Sequence, residues 1–139
     1  MKASEIMVPA ERVVTLKPDD SLREAVRKLA ENRVSGAPVV EGGKVVGVVS
    51  ESDILHFLGR SRRWSARAVL DPEEAEKTKV ESIMTKKVVG VGPDATLADV
   101  ARIMSRRNIN RVVVTNDRMA LLGLIARGDV IKAGRGQFQ

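Results

Sequence analysis

The sequence predicts an α/β protein of the α+β type, built as two β-α-β-β-α units packed sheet to sheet with pseudo-twofold symmetry. Three observations predict it. Four blocks of sequence recur in the same order, at offsets of 77, 75, 75 and 76 residues. Each copy runs β-branched strand, amphipathic helix, two strands, short helix. Finally, 139 residues with 43% apolar content hold one shared core or two very small halves, and half a chain is too small to cover both faces of its own sheet.

The blocks are visible by eye. Ser4-Glu5-Ile6-Met7-Val8 answers to Glu81-Ser82-Ile83-Met84-Thr85, and Val13 to Leu22 answers to Val88 to Leu97. Arg33 to Val40 matches Asn108 to Thr115, and Val46 to Ile54 matches Leu122 to Val130. Two copies are too few for a solenoid, so a pair is the better picture. The chain divides into repeat 1 (1–58), a linker (59–79), repeat 2 (80–133) and a flexible tail (134–139).

Each element has a local cause. Val13 to Leu16 and Val88 to Val91 are β-branched and read as strands, after which Pro-Asp turns the chain. Ser21 with Glu24, and Thr96 with Asp99, have capping-box spacing at a helix start. Leu22, Ala25, Val26 and Leu29 then fall on one helical face, as do Leu97, Val100, Ala101 and Met104. Ala37 to Val40 and Val45 to Val49 flank Gly42-Gly43, a hairpin signal. Asn116-Asp117-Arg118 begins the matching turn in the second copy. Closing helices follow over Glu51 to Leu58 and from Gly128 to about Lys132, with Met7, Met84, Met104 and Met119 read as core fillers.

Composition excludes several functions. There is no Cys, and His56 is the only His, which removes thiol chemistry, disulfides and multi-histidine metal sites. No nucleophile–base pair or paired carboxylate emerges, so the chain does not read as an enzyme. Phe57, Trp64 and Phe138 are too few to stack single-stranded nucleic acid. The net charge of +6 is basic, but 18 acidic residues temper it. Without a secretory signal or membrane-length apolar run, the expectation is a cytoplasmic protein with no membrane partner.

The ordered set of Ile-Met, Val-x-Thr-Leu-x-Pro-Asp-x-Ser-Leu, a Pro-Val-Val strand and Gly-h-h-Ser-x-x-Asp-Ile (h, apolar), present in two copies, resembles a tandem pair of CBS domains (cystathionine β-synthase domains). The resemblance spans Ser4 to about Lys132. It implies two clefts between the repeats that take adenosine nucleotides of the AMP, ADP or ATP type, or S-adenosylmethionine. It also implies a stand-alone homodimer that senses energy state and modulates an unknown partner protein, with no cofactor or metal.

On that resemblance Asp53 accepts the ribose hydroxyls, while Ser50 and Ser52 reach the ribose and phosphate. Thr85, Ile109, Asn110 and Arg111 complete this cleft, Arg111 as the phosphate cation. The second cleft pairs Asp129 and Arg127 with Val8, Val34, Ser35, Gly36, Ala37 and Pro38. Ala126 and Gly128 stand where the first copy has Ser50 and Ser52, so the Asp53 cleft is expected to be the better formed. Ser50-x-x-Asp53 also has the form of a helix cap, and both roles are compatible because a capped helix start is an anion site. Two other functions stay open. One is a basic nucleic-acid binder using Arg60 to Arg67, Arg106, Arg107, Arg111, Lys132 and Arg135; the other is a ligand-free dimerisation scaffold.

Overall fold

The computed structural model describes residues 1–60 and 72–137. The chain forms two compact units, one of Met1–Val13 with Val89–Gln139 and one of Val14–Val88. These divide the chain differently from the sequence repeats: the lead-in of each repeat packs with the body of the other copy. We call them the first and second unit.

The first unit holds helix α1 (Ala3–Ile6), strand β1 (Val8–Pro9), β4 (Gly90–Val91), α6 (Leu97–Arg107), β5 (Arg111–Thr115), β6 (Leu121–Ala126) and α7 (Arg127–Gln137). Its sheet runs β1-β6-β5-β4. β5 and β6 are antiparallel, β1 pairs antiparallel to β6 through Val8 with Leu124, and β4 is parallel to β5. Ala3, Val91, Val100, Met104, Val112, Val114 and Ile125 form the core between this sheet and its helices.

The second unit holds α2 (Leu22–Glu31), β2 (Gly36–Glu41), β3 (Lys44–Ser50), α3 (Glu51–Arg60), α4 (Pro72–Lys77) and α5 (Val80–Ile83). β2 and β3 form a hairpin whose two loop residues, Gly42 and Gly43, have φ of 58° and 78°, a conformation glycine adopts without steric cost. Single bridges flank the hairpin: Leu16 lies parallel to Val39, and Thr85 antiparallel to Val48. They occupy the places that β4 and β1 take in the first unit. Leu16, Ala25, Leu29, Ala37, Val39, Val49 and Val80 form the core.

Several expectations need correction. The strands expected over Val13 to Leu16 and Val88 to Val91 shrink to the Leu16 bridge and the two residues of β4. In each run the end nearest the following proline keeps its pairing and the start is lost; at the start of the first run Val13 N–H donates instead to the Ala10 carbonyl (3.1 Å), closing a turn that precedes the strand. Val26 and Ala101 are exposed, and Ile103 rather than Ala101 packs against the core of α6. Met119 is also exposed, at a left-handed turn position with φ of 64°. The last helix continues to Gln137, through residues that read as a tail. The arginines from 61 to 67 and Trp64 lie outside the described residues.

Candidate functional site

In each unit the chain leaves a buried strand and enters a helix within one residue, and an aspartate stands in the first turn of that helix. In the second unit β3 ends at Ser50 and α3 starts at Glu51, whose N–H donates to the Ser35 carbonyl at 2.9 Å. That bond ties the entrance of β2 to the helix start. Ser50 caps the helix: its Oγ accepts from the Asp53 N–H (3.2 Å). In return the Asp53 carboxylate accepts at Oδ2 from the Ser50 N–H (2.9 Å) and the Ser50 hydroxyl (3.0 Å).

A third donor comes from far along the chain. Thr85 and Val48 exchange backbone hydrogen bonds of 2.9 and 3.0 Å, which lays the lead-in of the second repeat along β3. The Thr85 hydroxyl then donates to Asp53 Oδ1 at 2.8 Å. Gly47 makes this approach possible: a Cβ there would stand 2.6 Å from Met84 Sδ and 3.1 Å from the Thr85 carbonyl oxygen. Asp53 is half-buried and accepts three hydrogen bonds, while Ser52 and His56 are exposed.

The first unit repeats the arrangement with fewer donors. β6 ends at Ala126, and Arg127 N–H donates to the Asn110 carbonyl at 2.9 Å, as Glu51 does to Ser35. Asp129 Oδ2 accepts from the Ala126 N–H at 2.8 Å. Ala126 has no hydroxyl, and the position matching Thr85 is Val8, which pairs with Leu124. Gly123 leaves room for this lead-in, since a Cβ there would come within 2.6 Å of the Val8 carbonyl oxygen. The Arg127 guanidinium donates to Asn110 Oδ1.

The residues named from sequence therefore fall into two sets. Ser35, Ser50, Asp53 and Thr85 meet in the second unit; Asn110, Arg127 and Asp129 meet in the first, with Arg111 opposite Ala126 in register. Ala37 and Pro38 are fully buried strand residues, and Gly36 is buried opposite Ser50. Val34 and Ser35 line a groove of about 690 Å³ between α2 and the start of α3, together with Glu51, Ile54 and Leu55. Ile109 packs against the core of the first unit. The Asn110–Arg127 contact was missed from sequence, because Arg127 reads there only as a free charge. Among the described residues no group of three or more His, Cys, Asp or Glu side chains could hold a metal ion, and no helix is long and apolar enough to cross a membrane.

Chemically, each carboxylate sits at the N-terminus of a helix of 10 or 11 residues, a place that favours negative charge. An ionised carboxylate only accepts hydrogen bonds, so the group that suits it is one offering paired donors, such as a sugar diol.

The chain is also similar to known proteins. The CBS domain family profile matches residues 3–60 and again 80–136. Protein MJ1426 of Methanocaldococcus jannaschii is 34% identical over 142 residues, covering 86% of this chain and 84% of its own. Other relatives are longer: the chain spans 39% of M. jannaschii MJ1232, at 32% identity, and 21% of the inosine-5'-monophosphate dehydrogenase of Korarchaeum cryptofilum, at 34%. Among solved structures, CBSX2 in complex with AMP is similar with a TM-score of 0.83 at 27% identity, over 99% of this chain and 98% of that one. The CBS domain pair of MJ0100, in complex with 5'-methylthioadenosine and S-adenosyl-L-methionine, gives 0.79 at 25% identity over 99% and 98%.

Proposed function

The chain belongs to the CBS domain family, and on that premise we propose that it is a regulatory, non-catalytic module that binds an adenosine nucleotide of the AMP, ADP or ATP type. In this reading it acts as a homodimer, senses energy state and modulates a separate partner protein. The observation that carries the reading is the aspartate in the first turn of each closing helix, half-buried, with its neighbouring strand held beside it. CBSX2 holding AMP and the MJ0100 pair holding adenosine compounds support the ligand class.

The residues take separate roles. Asp53 and Asp129 accept the ribose hydroxyls. Ser50, Ser52 and Thr85 supply hydroxyls around the first aspartate, and Arg127 and Arg111 supply charge for phosphate. Val8, Val34, Ile109 and Asn110, with the backbone of Ser35 to Pro38, offer the apolar slot and amide edge that adenine needs.

Thermal melting with AMP, ADP, ATP and S-adenosylmethionine tests the reading. Binding to the folded state alone adds about 2.7 kcal/mol of stability at a hundredfold excess over Kd. The melting temperature rises with at least one of these, and Asp53→Ala with Asp129→Ala in one chain abolishes the rise. A melting temperature indifferent to all four ligands overturns the proposal.

A further inference from the structure

The two aspartates differ in how much of their acceptor capacity the protein itself uses. Asp53 accepts three hydrogen bonds: two from Ser50 at 2.9 and 3.0 Å, and one from the Thr85 hydroxyl at 2.8 Å. Asp129 accepts one, from the Ala126 N–H at 2.8 Å, and no other described residue donates to it. A carboxylate offers about four acceptor sites. Asp53 therefore has about one left and Asp129 about three, whereas a vicinal diol brings two donors.

We propose that the Thr85 hydroxyl is a built-in competitor for a ligand diol at Asp53, so that the Asp129 site is the tighter of the two and fills first. The inference rests on the nucleotide reading above and concerns which site leads. It reverses the order that counting hydroxyls in the sequence suggests: the serine and threonine that make the Asp53 site look well formed occupy the oxygens a ribose would use. Thr85 is suited to the part. It is exposed, so a displaced hydroxyl turns to water, and the displacement costs only the difference between two hydrogen bonds. Its backbone is fixed by the exchange with Val48, so the hydroxyl returns to Oδ1 when the ligand leaves. At the matching place in the first unit, Val8 has the same branched shape and no donor.

Calorimetric titration with AMP tests this on four variants and the parent chain. The parent shows two unequal binding steps. Thr85→Val, which keeps the shape and removes the donor, tightens the weaker step about tenfold and leaves the tighter one unchanged, the scale of one hydrogen bond. Val8→Thr weakens the tighter step by a similar factor. Asp129→Asn removes the tighter step and Asp53→Asn the weaker one. Loss of the tighter step in Asp53→Asn, or a Thr85→Val chain that binds AMP no better than the parent, overturns the inference while the nucleotide reading stands. Absence of AMP binding in the parent and all variants overturns both. The Thr/Val exchanges are isosteric, and matching melting temperatures without AMP confirm intact folding.

Discussion

Asp99 does for α6 what Glu24 fails to do for α2. The spacing Thr96-x-x-Asp99 closes a reciprocal box, with Thr96 N–H donating to Asp99 Oδ2 (3.0 Å) and Asp99 N–H to Thr96 Oγ1 (3.1 Å). Ser21 accepts from the Glu24 N–H at 3.0 Å, but the Glu24 carboxylate turns outward to the Arg27 guanidinium. The capping spacing is legible in both copies, and so is an arginine three residues on: Arg102 takes Asp99 Oδ1 (3.2 Å) and leaves Oδ2 on the Thr96 N–H, whereas Arg27 takes both oxygens of the longer Glu24, a difference the spacing does not encode. The Thr96 backbone N–H, then its hydroxyl, hold the Asp99 carboxyl below its ordinary value. A carboxyl whose folded pKa is depressed adds stability that is present above its unfolded value and is lost as pH falls through the folded one. Urea midpoints measured from about pH 6 down to about pH 2 should fall further for the parent chain than for Asp99→Asn, with the difference confined to the acid end. Parallel curves would remove Asp99 from the acid-sensitive groups. At the candidate site, Ser50 and Asp53 are three positions apart and their cap reads directly from sequence. Thr85, 32 positions from Asp53, enters only through the family resemblance.

At the scale of elements, two strand glycines decide whether the lead-in segments can lie against the sheets. Gly47 in β3 and Gly123 in β6 each face a methionine side chain and the carbonyl that follows it. The repeat of Ile-Met is legible in the sequence, and so are the two glycines, but their meeting is a tertiary fact that no local period encodes. Gly59 in α3 is the contrasting case, since a Cβ there meets nothing within 4 Å. Gly47→Ala should destabilise the chain by about 1–3 kcal/mol, because Met84 must move to admit the methyl group. Gly59→Ala should stabilise it by about 0.5–1 kcal/mol through helix propensity. Denaturant titration of both variants checks the opposed signs, and a stable Gly47→Ala chain would mean that Met84 gives way freely. Hairpin and helix positions were readable because Gly-Gly and the capping residues act locally. The first strand of each repeat is shorter than its β-branched run because such a run is only a preference: pairing holds at the end near Pro18 and Pro93, while Val13, at the start of the first run, closes a turn on Ala10.

For the whole molecule, the doubling and the α+β class are plain in the sequence, since similarity at a constant offset needs no contact information. The exchange of lead-ins is not, because Met1–Val13 join Val89–Gln139 through pairings such as Val8 with Leu124, and only packing reveals them. That exchange gives each helix-start aspartate a neighbour from another part of the chain: Thr85 beside Asp53, and Val8 beside the strand that leads to Asp129. In the proposed function these carboxylates grip the paired hydroxyls of a ribose. Equilibrium titration of the intact chain with AMP and with its 2′,3′-dideoxy analogue tests it most directly. AMP is expected to bind, and removing both hydroxyls to weaken binding by about a hundredfold or more, since each lost bond to a charged acceptor is worth about 1.5–3 kcal/mol. Equal affinity for the two compounds would contradict it.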